Sequence, residues 1–171
     1  MSADHAVTIR PGTATDIEEA LTIVRAAEAR RRGRLRLEEE SRGRLRQRLA
    51  GPDTFFFVAQ STENNPIGLA VGMSGRQDGG MGPTIPGLCH ISTVAVRPEH
   101  WGMGVGRRLL QALLPHGRGL GYNRFQLFTH ADNTRAQRLY EGIGFTPTGQ
   151  TAVSDNGESI VHYLWVPGQL P

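Results

Sequence analysis

The stretch STVAVRPEHWGMGVGRRLL, residues 92–110, holds the features that decide the fold. A β-branched run stops at Pro98, three glycines follow at Gly102, Gly104 and Gly106, and an arginine pair then leads into an apolar run. The first four N–H groups of a helix lack partners within it and carry partial positive charge. Glycines in front of them let the backbone approach a ligand closely. A strand, a glycine-rich turn and a helix in this order predict a cradle for an anion such as phosphate.

The glycines alone do not separate a phosphate site from a turn that binds nothing. Two nucleotide motifs are excluded. No Gly-Lys-Ser/Thr follows, as a P-loop requires, and the glycine spacing and element order differ from those of a dinucleotide-binding strand–helix–strand unit.

Composition narrows the possible functions. The 171 residues suffice for one domain with a core, and a net charge of +3 is too small to indicate nucleic acid but suits a small phosphate-bearing partner. No apolar run approaches the roughly 20 residues of a membrane span, and the N-terminus lacks the pattern of a secretory signal. The single cysteine, Cys89, cannot form an internal disulfide. We therefore expect a cytoplasmic protein with no nucleic-acid or membrane partner.

Strand and helix patterns alternate along the chain. Runs rich in β-branched and aromatic residues predict strands at 7–10, 54–60, 67–75, 88–96, 124–130, 145–150 and 158–166. Apolar spacing predicts helices at 15–29, within 40–52, at 106–114 and at 133–144. Thr15 with Glu18 predicts a capping box for the first helix, and residues 76–87 are predicted as a loop. The order β-α-α-β-β-β-α-β-α-β-β predicts one α/β domain, residues 1–171, with a mixed central sheet flanked by helices.

A second stretch, NTRAQRLYEGIGF at residues 133–145, resembles the second signature of the GNAT family of N-acetyltransferases. The signature positions correspond to Asn133, Ala136, Leu139, Tyr140, Gly144 and Phe145. The glycine stretch resembles the family's acyl-CoA motif, Arg/Gln-x-x-Gly-x-Gly/Ala, with Gly104 and Gly106 in its last two fixed positions. Trp101 stands where the motif has Arg or Gln, and it could cover a pyrophosphate or simply pack. The order and spacing of the two motifs match the family, as does the element order over nearly the whole chain.

The resemblance implies acetyl transfer from acetyl-CoA, a co-substrate, to a primary amine of a small molecule or protein by direct attack in a ternary complex. It implies a pyrophosphate held by the main-chain N–H groups of Met103, Gly104, Val105, Gly106 and Arg107. The strand backbone at Val94 and Val96 would pair with the pantetheine arm. Asn133 would hydrogen-bond that arm, cap its own helix, or do both. No metal is expected, a homodimer is compatible, and a non-catalytic acyl-CoA-binding or sensing module stays open.

Amine acetylation needs a proton acceptor, a donor to the oxyanion and a proton for the departing thiolate. The resemblance places Tyr140 as the acid, although a core aromatic also fits that position. Strand alternation puts His90, Ser92, Val94 and Val96 on one face. His90 lies where some family members carry a catalytic glutamate, which makes it the candidate base, with packing as the alternative. The N–H near Val94 would donate to the oxyanion.

The acceptor has no signature in this sequence. The resemblance places its pocket at the paired helices, the loop 76–87 and the hairpin near 154–158. Glu38, Glu39 and Glu40 could bind a cationic amine, although a solvated charge run explains them too. The arginine-rich residues 30–36 lack interleaved aromatic side chains, which favours a solvated surface over nucleic-acid binding, while an anionic acceptor or acidic partner stays open.

Overall fold

The computed structural model describes residues 6–32, 39–154 and 157–168. The predicted order of elements is confirmed. The strands are β1 (Thr8–Pro11), β2 (Phe55–Gln60), β3 (Pro66–Arg76), β4 (Thr84–Val96), β5 (Arg124–His130), β6 (Thr146–Val153) and β7 (Ser159–Trp165). The helices are α1 (Ile17–Arg32), α2 (Glu39–Leu49), α3 (Val105–Gly119) and α4 (Thr134–Ile143).

The strands of the described chain form one mixed sheet in the order β1-β2-β3-β4-β5-β7-β6. β4 and β5 run parallel from Leu88↔Arg124 to His90↔Gln126. The pairs β1–β2, β2–β3, β5–β7 and β6–β7 are antiparallel. Parallel neighbours need a long crossover, and α3 lies in the connection between β4 and β5. The predicted fold class, a mixed α/β sheet flanked by helices, is confirmed.

The chain divides into two compact units, of which the first comprises Met1–Gly72 and Thr93–Leu113. Its core consists of apolar side chains from α1, the β2–β3 hairpin and α3. Fully buried members are Leu21, Ile23, Val58, Leu69, Val71 and Leu109. The burial of one face of α1 and of α3 against strands accounts for the apolar spacing of these helices in the sequence.

The start of α1 differs from the prediction. The Thr13 N–H donates to the Asp16 carboxylate at 2.8 Å, and Arg10 holds the same carboxylate at 2.7 Å. The capping box at Thr15 and Glu18 is therefore wrong by two residues, because Thr13 is the N-cap and the buried Asp16 accepts its N–H. Glu18 instead pairs with Arg46 of α2 at 3.0 Å.

The second unit comprises Met73–Ser92 and Leu114–Pro171. Its core is built from one face of β4, β5 and β7 together with α4. Buried members are Leu88, Cys89, Ile91, Phe125, Leu127, Tyr140, Phe145 and Tyr163. The ring of Phe125 meets that of Trp165 edge-on, with centroids 5.4 Å apart. The one cysteine is buried and keeps its thiol rather than forming a disulfide.

Two element boundaries differ most from the predicted ones. β4 begins at Thr84, so the last four residues of the predicted loop 76–87 are strand. Gly87, with φ of +75°, interrupts the extended conformation there. A glycine at that point is typical of a loop, so the sequence pattern did not predict the first residues of β4. α3 continues through Pro115 to Gly119 rather than ending at 114. Within the described part of the chain, no helix has the length and apolar character to cross a membrane.

Candidate active site

The entry to α3 has the geometry of an anion cradle. Gly102 and Gly104 have φ of +76° and +78°, in the left-handed region that L side chains rarely adopt. The first turn of α3 is closed by the Arg108 N–H, which donates to the Gly104 carbonyl at 3.1 Å. The N–H groups of residues 102–106 donate to no residue that the structure describes. A Cβ at Gly104 would meet no atom within 4 Å. These N–H groups can therefore donate to an anion, and the backbone at Gly104 borders open space.

The loop before the glycines is fixed to the end of β4. The indole N–H of Trp101 donates to the Val96 carbonyl at 2.7 Å. The backbone N–H of Arg97 donates to the Ile67 carbonyl at 2.8 Å, and its guanidinium pairs with Glu19 of α1. The indole of Trp101, which stands where the acyl-CoA motif has Arg or Gln, thus ties this loop to the end of β4.

The backbone of Val94 and Val96 faces away from β3. The N–H and C=O groups of successive residues in a strand point to opposite edges of that strand. The Arg97 N–H points to β3, so the groups of residues 94 and 96 point to the edge of β4 that faces away from β3. Pairing of β4 with β5 is confined, among the described residues, to Leu88–His90. The Val96 carbonyl accepts the indole of Trp101, which leaves the N–H groups of both valines as donors for an added extended chain.

The ends of α4 agree with the sequence. The Asn133 side-chain oxygen accepts the N–H of Ala136 at 3.2 Å, so its predicted role as N-cap is confirmed. The carboxamide NH2 of Asn133 donates to no described residue. Gly144, with φ of +113°, ends the helix in the left-handed conformation that favours glycine. Between these caps, Tyr140 lies on the buried face of α4.

Tyr140 is an aromatic core residue with a hydroxyl that forms no hydrogen bond to the described residues. Its ring centroid lies 6.0 Å from that of Phe145 and 6.2 Å from that of Tyr163. Burial raises the pKa of the Tyr140 hydroxyl, because the apolar surroundings disfavour the phenolate. The side chain therefore stays protonated throughout the physiological range.

His90 lies on the half-buried face of β4, as the alternation predicts, while Cys89 and Ile91 point into the core. Its register partner on β5 is Gln126, whose Nε2 lies 3.4 Å from His90 Nδ1. The ring centroid of Phe128 lies 6.4 Å from that of His90. Because a carboxamide NH2 donates, Nδ1 accepts, and a neutral His90 carries its proton on Nε2.

Sequence analysis missed two polar residues behind Gln126. His162 of β7 is only 8% exposed, and its Nε2 donates to Gln126 Oε1 at 2.9 Å. Its Nδ1 lies 2.8 Å from the Thr148 hydroxyl of β6. Burial lowers the pKa of His162, which keeps the ring neutral. The available signal was the alternation within SIVHYLW, which puts His162 on one face of β7 with the apolar Ile160 and Leu164.

The predicted acceptor region is described only in part. Glu38 lies outside the described residues, and so do the side chains of Glu39 and Glu40, although α2 includes their backbone. The arginine-rich segment is described as far as residue 32. In the β6–β7 hairpin, Glu158 pairs with His130 at the end of β5 over 2.9 Å. This pair fixes one side of the hairpin that the resemblance assigns to the acceptor.

Known sequences match most of the chain. A model of the Acetyltransferase (GNAT) family matches residues 20–145. N-alpha-acetyltransferase RimI of Mycobacterium tuberculosis is 35% identical over 101 residues, which cover 59% of this chain and 58% of the relative. A mycothiol acetyltransferase of Acidothermus cellulolyticus is 29% identical over 156 residues, 88% of this chain and 47% of the relative. The chain thus spans about half the length of these two curated relatives.

Solved structures share the fold. The ribosomal-protein-S18-alanine N-acetyltransferase of Escherichia coli superimposes with a TM-score of 0.72 at 19% identity, covering 97% of both chains. The PaiA N-acetyltransferase of Thermoplasma acidophilum, solved in complex with coenzyme A, gives a TM-score of 0.66 at 16% identity, covering 94% of this chain and 99% of the other. At these identities the likeness establishes the fold alone.

Proposed function

Because the chain belongs to the GNAT family of acetyltransferases, we propose that it is an acetyl-CoA-dependent N-acetyltransferase. Its acceptor is a primary amine of a small molecule or protein. The observation that carries the proposal is the entry to α3, where the N–H groups of residues 102–106 have no described acceptor. Helix N-termini of this form bind phosphate groups, and acetyl-CoA carries a pyrophosphate. Residues 1–171 would form one catalytic domain, cytoplasmic and compatible with a homodimer.

Backbone N–H groups are proposed to hold the co-substrate. The pyrophosphate would accept the main-chain N–H groups of Met103, Gly104, Val105, Gly106 and Arg107. The pantetheine arm would pair with the backbone of Val94 and Val96 as an extended chain adds to a strand edge. The Val94 N–H would donate to the acetyl oxygen. A donor placed there stabilises the negative charge that develops on this oxygen in the tetrahedral intermediate.

Three side chains are proposed to bind the arm and move protons. The free NH2 of Asn133 would donate to the pantetheine arm. As the amine nitrogen bonds to the acetyl carbon, its proton would pass to His90. When the carbon–sulfur bond breaks, the thiolate would receive the proton of Tyr140. Burial raises the pKa of Tyr140, so full proton transfer becomes costlier by about 1.4 kcal/mol per pKa unit. Tyr140 would therefore first donate a hydrogen bond that strengthens as charge grows on sulfur, and would release its proton to the sulfur as the carbon–sulfur bond breaks.

A second candidate function, an acyl-CoA sensor without catalysis, follows from one observation. In the structure His90 Nδ1 already accepts a hydrogen bond from Gln126, so a neutral His90 offers an N–H at Nε2 rather than a lone pair. A sensor would bind acetyl-CoA through the same cradle. It would not consume acetyl-CoA, whatever amine is present.

Turnover with a panel of amines separates the two functions. The protein is incubated with acetyl-CoA and monoamines, polyamines, amino sugars or peptides with free N-termini, and free CoA thiol and acetylated product are measured. An enzyme produces both in equal amounts, whereas a sensor produces neither. In parallel, CoA should raise the melting temperature, and NADH, which lacks the pantetheine arm, should raise it far less. Equal shifts with CoA and NADH would count against both functions.

A further inference from the structure

Four neighbouring strands each contribute one polar side chain to a continuous hydrogen-bonded row. His90 of β4, Gln126 of β5, His162 of β7 and Thr148 of β6 follow one another in the strand order of the sheet. The row contains the contacts His90 Nδ1–Gln126 Nε2 at 3.4 Å, Gln126 Oε1–His162 Nε2 at 2.9 Å and His162 Nδ1–Thr148 Oγ1 at 2.8 Å. All four residues belong to the second unit.

The donor and acceptor roles in each hydrogen bond of the row depend on those in the neighbouring hydrogen bond. His162 is buried and neutral, so one ring nitrogen donates and the other accepts. A carboxamide offers its oxygen on one side and its NH2 on the other. With the oxygen toward His162, the Thr148 hydroxyl donates to His162 Nδ1, and His90 must carry its proton on Nε2. With the carboxamide reversed, His162 donates from Nδ1 to Thr148, and His90 donates from Nδ1 to Gln126.

Thr148 has partners for both directions. Its oxygen accepts the N–H of Gln150 at 3.3 Å in either case. In the reversed pattern its hydroxyl can donate to the His162 carbonyl, 3.5 Å away, while it accepts His162 Nδ1. No group of the row is then left unsatisfied in either pattern, which matters because an unpaired buried polar group is strongly destabilising.

We infer that Gln126, His162 and Thr148 form a positioning relay that decides which ring nitrogen of His90 carries the proton. The inference rests on the proposed role of His90 as base. In the pattern of the structure, His90 Nε2 bears hydrogen and cannot accept a proton. In the reversed pattern, Nε2 presents its lone pair to the amine. After proton transfer both nitrogens of His90 bear hydrogen, and the Nδ1–H then needs the Gln126 oxygen that only the reversed pattern provides.

Three described side chains lie near the ring of His90. Ser92 lies on the same face of β4, and Gln126 and Phe128 face the ring from β5. His162 is the titratable member of the relay, and it is coupled to His90 through the carboxamide of Gln126. Protonation of His90 should therefore move the proton of His162 from Nε2 to Nδ1, although His162 itself stays neutral.

Nitrogen NMR of 15N-histidine-labelled protein, without co-substrate or amine, tests the relay independently of any activity. The six histidines are assigned with single substitutions. In wild type, acidification should change the His162 tautomer at the same midpoint at which His90 gains its proton. At higher pH both rings should carry hydrogen on the same nitrogen. Opposite tautomers in the neutral rings, or an unchanged His162 tautomer while His90 titrates, would overturn the inference in wild type alone.

Thr148→Val and Thr148→Ser form a matched pair that touches His90 only through the relay. Valine keeps the shape but cannot accept from His162 Nδ1, so the tautomer change of His162 should disappear. The midpoint of His90 should then fall by about half a pH unit, roughly threefold in its proton affinity. Serine keeps the hydroxyl and should behave like wild type. Equal His90 midpoints in the two folded variants would refute the relay.

Discussion

Gly104→Ala tests the cradle at a position where the backbone has a left-handed conformation that favours glycine. Gly104 has φ of +78°, and an added Cβ would meet no protein atom within 4 Å. An L residue in this conformation costs about 1–2 kcal/mol. Reduced freedom of the unfolded chain offsets about 0.4–1 kcal/mol of that. The variant should therefore remain folded, with a melting temperature lower by a few degrees, since about 1 kcal/mol corresponds to roughly 2–4 °C at this chain length.

Binding should suffer more than stability. The Cβ would project beside N–H groups that have no described acceptor, so a bound pyrophosphate could no longer approach them closely. We expect the affinity for acetyl-CoA to fall at least tenfold, about 1.4 kcal/mol, when it is measured by titration calorimetry.

Gly121→Ala is the matched control for backbone strain. Gly121 has φ of +104°, and a Cβ there would also meet no atom within 4 Å, but it lies in the turn after α3. It should lose similar stability and keep its affinity. If the folded Gly104→Ala variant bound acetyl-CoA as tightly as Gly121→Ala, the cradle would not be where acetyl-CoA binds.

Three further substitutions address catalysis and stability. Tyr140→Phe should lower kcat about 100-fold or more with little change in the KM for acetyl-CoA, the range expected for loss of a general acid; a normal kcat would remove Tyr140 from the reaction. His90→Ala should flatten the acid limb of the pH–rate profile or move it upward, and an unchanged limb would leave the base to water or to Glu40. Asp16→Asn should lower the free energy of unfolding by about 1–2 kcal/mol at neutral pH, an ion-pair value reduced because Arg10 is partly exposed. The hydrogen bond from Arg10 lowers the pKa of Asp16. The difference in unfolding free energy between wild type and variant should therefore hold above about pH 5 and shrink as pH falls below about 4. A difference that persists in acid would exclude the ion pair as its cause.

The sequence predicted the elements whose local signals agree with their packing. β5 begins and ends where its alternation does, and α4 lies between Asn133 and Gly144 as its caps require. The start of α1 was misplaced because Asp16 is held by Arg10 from the preceding strand, a tertiary contact that capping rules do not contain. The beginning of β4 was missed because the positive φ of Gly87 breaks the pattern of an extended strand.

The candidate site was predictable where the chemistry belongs to the backbone. Glycine positions specify the turn before α3, and these are visible in the sequence. The row behind His90 was not predictable, because it depends on the register of β4, β5 and β7, which brings Gln126 beside His90 and His162 within reach of Gln126. A polar residue within a strand does not reveal which strand it will face.

Backbone amide NMR during titration with acetyl-CoA tests the central claim most directly. The spectrum reports each N–H separately, so it identifies the donors that a pyrophosphate engages. The account predicts the largest shifts at the N–H groups of residues 103–107, with Val94 and Val96 also affected, and a much weaker response to NADH at the same concentration. Saturable binding that leaves the amides of residues 103–107 unchanged would contradict it.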